Sequence, residues 1–291
     1  MENLTAQQRR FIELAITKND DVFVANSIID FPKSINFPTR RGYEQAIISN
    51  GTLVNVVSKG YGHLPNQNFF GEVERQLNEA NIGYVKKSIN REDRSFSVDY
   101  ILNDESLLIN VNGNNDKLLP MLSFTTSYDG SVKTSGSFGV FRQICSNGLH
   151  GTKMIVGFSV KKRGNVASII LPKIDELIAL FIENEYYTIS RKFEVLAEKQ
   201  ITDVKEFVKM VATDLNLFQF EASATNSEPS LNARLVIDTI TKEQRILGIE
   251  KPTLWLGYNA FNELIHDKLK KTFDQQKALD SKVFEHILEM A

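Results

Sequence analysis

Apolar and polar residues alternate with a period of two through the middle of the chain and with a helical period after residue 170. In 95–102 (SFSVDYIL), Phe96, Val98 and Tyr100 share one parity, while Ser95, Ser97 and Asp99 take the other. That is the pattern of an antiparallel strand with one wet face. Similar runs predict strands over 52–58, 84–89, 106–111 and 117–126, and a pair over 137–145 and 153–160. Arg91–Arg94, Asn112–Asn115 and Tyr128-Asp129-Gly130 read as turns, the last with the Asp-Gly pair that hairpins favour. Leu4, Phe11, Leu14 and Ala15 predict an amphipathic helix over 4–18, which Thr5 would cap. A second helix starts with Asn66 as its cap, carries the stripe Phe69, Val73 and Leu77, and ends at Asn81 or Gly83. Val22–Ala25 reads as strand or helix, and 30–43, with two prolines and Arg40-Arg41, as an exposed irregular segment.

Beyond residue 170 the pattern predicts helices over 175–200, 202–217, 232–247 (stopped by Gly248), 253–269 and 274–290. The expected fold class is α+β, a curved antiparallel sheet core with an N-terminal helix and a mostly helical C-terminal region. The expected division is 1–49, 50–170 and 171–291.

Composition narrows the class. A 42% hydrophobic and 24% charged chain of 291 residues is an ordinary soluble globular sequence. No apolar run approaches the ~20 residues of a membrane span, so no membrane partner is expected. The N-terminus lacks a basic-then-apolar leader, and one cysteine excludes an intramolecular disulfide framework. Both point to a reducing cytoplasm. A pI near 6.2 excludes a generally basic nucleic-acid protein. It leaves room for a local basic face, because salt confines surface charge to about 10 Å.

Such a face is visible in the charge pattern. Between Gly130 and Ile174 there is no acid, and there are seven basic residues: Lys133, Arg142, Lys153, Lys161, Lys162, Arg163 and Lys173. With a total of −2, the rest of the chain carries −2 − 7 = −9. Lysines on hairpin turns near aromatics make a surface for a nucleic-acid backbone with stacked bases. The competing reading is a solvated sheet edge on which lysine blocks strand addition. Arg142 shares its parity with Phe138, Val140 and Ile144, so it lies at a strand end or is held by a partner.

Catalytic and cofactor signals are weak, and no cofactor is expected. The four histidines (63, 150, 266, 286) show no zinc-ligand spacing. His266 and His286 fall on polar helical faces and read as solvated. Cys145 has no CxxC partner and reads as a buried thiol. A Cys145–His150 nucleophile pair lacks an orienting acid and an oxyanion hole in the sequence. A third, weaker reading is therefore a small-molecule enzyme using Asp129, Arg142, Cys145 and His150. The glycines form no GxxxxGK[ST] phosphate loop.

Four blocks carry a resemblance: Gly60-Tyr61 with Leu64–Phe70, Ser127–Gly130, Arg142–Leu149, and Trp255 with Asn259-Ala260. Together they resemble a prokaryotic family of unknown function associated with phages and plasmids. The arginine-x-x-cysteine-x-asparagine block is the most specific of the four. The matching positions are Tyr61, Asn66, Phe69, Phe70, Asp129, Gly130, Arg142, Cys145, Asn147, Gly148, Trp255 and Asn259. Gly148-Leu149 departs from the threonine-leucine of many members. By fold-level analogy, the layout is similar to that of phage single-strand annealing proteins, which bind single-stranded DNA in a basic groove and assemble into rings or filaments. The resemblance implies a non-enzymatic, homo-oligomeric DNA-metabolism protein of annealing or recombination type. It would bind single-stranded nucleic acid through Lys133, Arg142, Lys153, Lys161, Lys162 and Arg163, with Tyr61 or Tyr128 as stacking rings. The alternative is a phage structural, assembly or host-interaction protein with no nucleic-acid role.

Overall fold

The computed structural model describes residues 19–31, 43–103, 109–111, 116–142, 148–149, 157–181, 186–223, 226–269 and 273–291. The expected helix over 4–18, Arg40-Arg41, Cys145, Asn147, His150 and Lys153 lie outside the described residues. In chain order the strands are β1 (Asn26–Asp30), β2 (Gln45–Ser49), β3 (Thr52–Val57), β4 (Tyr84–Arg91), β5 (Ser95–Leu102), β6 (Ile109–Val111), β7 (Asp116–Ser127), β8 (Thr134–Arg142), β9 (Gly148–Leu149), β10 (Gly157–Val160), β11 (Glu221–Ser223) and β12 (Asn226–Pro229). The helices are α1 (Asn66–Glu79), α2 (Ala167–Leu180), α3 (Tyr186–Glu198), α4 (Val204–Asp214), α5 (Leu231–Leu247), α6 (Leu254–Glu263) and α7 (Phe273–Glu289). The fold is α+β, with open antiparallel sheets. No described helix is long and apolar enough to cross a membrane.

The chain forms two compact units, and neither is continuous in sequence. One holds residues 1–107, 120–139 and 156–183, and the other 108–119, 140–155 and 184–291. β7 and β8 each begin in one unit and end in the other.

In the first unit, a sheet path runs β10-β8-β7-β5-β4, and a smaller sheet runs β1-β2-β3. β4 and β5 are joined by the three residues 92–94, with Glu92 and Asp93 at positive φ (54° and 55°) and the Arg94 amide donating to the Arg91 carbonyl at 3.0 Å. β5 keeps the alternation read from its sequence: Phe96, Val98 and Tyr100 are buried, Ser97 and Asp99 half-buried. The apolar stripe of α1 closes on this sheet. Phe69 meets Phe124 edge-on at 5.9 Å, and Phe124 meets Tyr100 at 6.0 Å. Gly136 leaves room for those rings, since a Cβ there would lie 2.6 Å from the Phe124 ring and 2.7 Å from the Phe158 ring. Gly136→Ala is expected to cost about 1–3 kcal/mol through overpacking. A lower denaturant midpoint at unchanged slope would register it.

β1 and β2 were not among the predicted strands. Their run pairs Asn26↔Ser49 through Asp30↔Gln45 across a long connection, a non-local pairing with no hairpin signal between the partners. Asn66 also departs from expectation. It begins α1 but does not cap it, because its side chain donates to the Val22 carbonyl at 2.7 Å.

In the second unit, α6 is buried from Leu254 to Asn262 and packs against α3, α5 and α7. Asp203 caps α4 by accepting from the Lys205 and Glu206 amides, and Gly248 ends α5 in the left-handed region as its position predicted.

Candidate functional site

The first polar cluster lies in the first unit and is centred on Tyr128. This residue follows β7, is fully buried and stacks edge-on against Phe96 at 5.3 Å. Its hydroxyl accepts the Asn66 amide at 2.9 Å. The His63 ring lies 5.6 Å from the Tyr128 ring, and His63 Nε2 is 2.8 Å from Asn26 Oδ1. Lys162 Nζ sits 4.9 Å above the same Tyr128 ring and donates to the Ser127 carbonyl at 2.9 Å. Asp129 turns the chain: its side chain accepts the Ser131 amide, and Gly130 takes φ 78°. Segment 60–64 is tied to 162–164 by the Tyr61↔Arg163 bridge and by bonds from Gly62 N to Lys162 O and Gly164 N to Gly60 O.

Burial sets the protonation here. It brings the Lys162 ammonium down to about 7, partly offset by Asp129. It brings His63 down to about 4, with Lys162 adding to the shift. Tyr61 and Tyr128 are both pushed up, chiefly by burial. Near neutral pH the cluster therefore holds two protonated phenols, a neutral imidazole and an amine close to its titration point. Three of its buried polar atoms, Tyr61 Oη, His63 Nδ1 and Asn66 Oδ1, have no hydrogen-bond partner among the described residues.

The second cluster is confined to the other unit. Arg142, at the end of β8, has no exposed surface. Its Nε donates to both Asp116 oxygens (2.9 and 2.8 Å), and its Nη2 also meets Asp116. Nη1 donates to both Glu243 oxygens at 2.8 and 2.7 Å. Trp255 Nε1 donates to Asp116 at 2.7 Å, and the guanidinium lies 5.5 Å from the indole ring. Asn259 donates to the Trp255 carbonyl at 2.7 Å. Burial raises the Glu243 carboxyl despite Arg142 beside it. A carboxyl raised on folding favours the native state at low pH. That contribution is lost as pH rises from the unfolded value, near 4.5, through the folded one. Glu243→Gln is expected to flatten stability against pH over that window, which thermal melts from pH 4 to 8 would show.

These geometries sort the expected site residues. Arg142 does not face a nucleic acid: it is consumed by two carboxylates in a dry interior, so of its two sequence readings the held-by-a-partner one applies. Tyr128 offers no stacking face, because its ring is covered by Phe96, His63 and Lys162. Tyr61 is half-buried with an enclosed hydroxyl, and Lys162 is half-buried with its amine turned inward. Phe69 and Phe70 are core residues. Gly148 lies in β9, opposite Phe141. His266 and His286 are not simply solvated, being 3.9 Å from Asp280 and 3.1 Å from Asp214.

Lys133, Lys161 and Arg163 remain exposed. The β8–β10 ladder ends at Val160↔Thr134, and Lys161 and Lys133 each lie one residue beyond that last pair. Lys161 and Arg163 share the outward parity of the chain, and Lys162 takes the inward parity of Phe158 and Val160. None of the three exposed cations is ion-paired among the described residues.

The family described as a domain of unknown function (DUF932) matches residues 54–283. The chain belongs to this family. The DUF932 match spans all four blocks that carried the resemblance, and the structure gathers them in two places. Tyr61, Asn66, Tyr128 and Asp129 lie in the first cluster, and Arg142, Trp255 and Asn259 in the second. No curated protein and no solved structure matches the chain.

Sequence reasoning missed Asp116, Glu243 and His63. Glu243 had a signal: it sits on the buried stripe Val236, Ile240, Glu243 and Leu247 of α5, where an acid needs a partner. Asp116 opens β7 beside the polar Asn112–Asn115 stretch of the sequence and gave none.

Proposed function

We propose that this DUF932 protein is a non-enzymatic, phage- or plasmid-type DNA-metabolism protein that binds single-stranded nucleic acid. The observation that carries the reading is the outward row of Lys133, Lys161 and Arg163 at one sheet edge, exposed and without acidic partners among the described residues. Point charges spaced along an extended edge contact phosphates without reading sequence. Arg142, Lys162 and Tyr128 drop out of the contact set, and Lys153 stays in it by sequence alone. The reading places the protein in the cytoplasm of the host cell, as a homo-oligomer. Fluorescence anisotropy with labelled single-stranded oligonucleotides at low salt tests it. Saturable binding is expected, and a flat titration removes the reading.

The interaction-protein alternative keeps one supporting observation. On α5, Leu231 is 66% and Ile246 57% exposed, large apolar side chains with no cover among the described residues. Under that reading, charge reversal at Lys161 and Arg163 leaves function intact, and substitution of Leu231 and Ile246 changes the oligomer mass measured by light scattering.

A further inference from the structure

Four strands of the first unit's sheet stop at one end. Ser95, where β5 begins, pairs with Ser127, where β7 ends. Thr134, where β8 begins, pairs with Val160, where β10 ends. Hydroxyls join the two pairs: Thr126 and Thr134 Oγ1 lie 3.0 Å apart, and Ser127 Oγ donates to the Val132 carbonyl at 2.9 Å. The residues just beyond these strand ends therefore follow one another across the sheet. Lys133, Lys161 and Arg163 stand on the β8 and β10 side. Arg94 stands on the β5 side, one residue before Ser95, and is exposed as well.

The backbone of Arg94 is committed and its side chain is not. Its amide donates to the Arg91 carbonyl at 3.0 Å, and its own carbonyl accepts the Tyr128 amide at 2.7 Å. Its guanidinium makes no ion pair among the described residues. Its neighbours differ. Arg91 Nη1 reaches back along the sheet to Ser97 Oγ at 3.4 Å. Asp93 accepts from Asn50 and Asn90, and Asp129 from the Ser131 amide, so both acids are engaged locally. Glu92 is the exposed acid of the turn. The end of β7 is held from both sides. Arg94 takes the Tyr128 amide, and Lys162, between Lys161 and Arg163, donates to the Ser127 carbonyl at 2.9 Å.

We propose that Arg94 is a further phosphate contact, and that a single strand crosses the end of the sheet from Arg94, over the end of β7, to Lys133, Lys161 and Arg163. The inference rests on the nucleic-acid reading above and gives its contact set a direction and a far end. Three strand steps separate β5 from β10, about 14 Å at ~4.8 Å per step. About four phosphates of a stacked strand cover that distance at ~3.4 Å each. The guanidinium fork suits two phosphate oxygens at once. A contact with phosphate is the same whatever base the sugar carries, so the path fits any sequence. Glu92 lies at the same end of the sheet with the sign that repels the strand.

The test is the salt dependence of binding by the full-length protein, read by fluorescence anisotropy with a labelled single-stranded oligothymidylate. Arg94→Ala is expected to weaken binding about five- to tenfold at 50 mM salt and to make the slope of log affinity against log salt shallower by about 0.7, the release that one phosphate contact brings on a single strand. Arg94→Lys should keep the wild-type slope, because an ammonium still neutralises the phosphate. Lys205→Ala, which removes an exposed lysine of α4 in the other unit, should leave the slope unchanged. Alanine keeps the amide and carbonyl through which residue 94 holds Arg91 and Tyr128, so the denaturant midpoint should not move. Glu92→Gln reads the same end of the sheet with Arg94 in place, and it should tighten binding. A wild-type slope in Arg94→Ala, an equal loss in Lys205→Ala, or no tightening in Glu92→Gln overturns the path and leaves the contacts at Lys133, Lys161 and Arg163 standing. A wild-type protein that does not bind the strand overturns both.

Discussion

Replacing Arg142 by methionine is expected to destabilise the second unit by about 3–5 kcal/mol, a large part of the total stability of most domains. Methionine approximates the length and volume of the arginine stem, so packing is largely kept. What is lost is the only cation shown between two carboxylates, Asp116 with no exposed side-chain surface and Glu243 with almost none. Two like charges then share a dry site, and the Trp255 N–H keeps an acceptor whose charge is no longer balanced. Arg142→Lys should fall between the two. It restores a charge but not the fork that reaches Asp116 and Glu243 at once. Trp255 is the only tryptophan, so its fluorescence reports this site directly during denaturation. A midpoint within error of the wild type would mean that the cluster is not the brace its geometry makes it.

The second large effect concerns binding. Alanine at Lys133, Lys161 and Arg163 together is expected to weaken single-stranded DNA binding by about two to three orders of magnitude at 50 mM salt. The figure follows from roughly 0.7 counterions released per phosphate contact on a single strand, summed over three contacts. Stability should change little, because exposed, unpaired lysines at a sheet edge contribute within about 0.5 kcal/mol. The two variants thus separate what the sequence had merged. Arg142→Met loses stability through the interior, whereas the triple alanine loses affinity at the surface.

That merger shows where sequence reading stops. The strands with clean alternation, such as Ser95–Leu102, were legible because burial of one sheet face imposes a period of two. The helices with a cap or stop, such as α5 ending at Gly248, were legible because glycine reaches the left-handed region at little cost. The β1–β2 pair was not, because nothing local links Asn26 to Ser49. The basic run looked uniform because sequence counts charges without their direction. Just beyond β10, Lys161 and Arg163 are exposed and Lys162 turns inward, and Arg142 at the end of β8 is buried. The partners that decide the role of Arg142 are 26 and 101 residues away, at Asp116 and Glu243. The four family blocks were legible as a set. Their division between two buried clusters required the fold.

The most direct measurement is the slope of log affinity against log salt for a labelled single strand, taken on the wild type and on the triple alanine. Three phosphate contacts predict a wild-type slope steeper than the variant's by about 2. Identical slopes for the two proteins, or wild-type binding indifferent to salt, would contradict the assignment of the phosphate contacts to Lys133, Lys161 and Arg163.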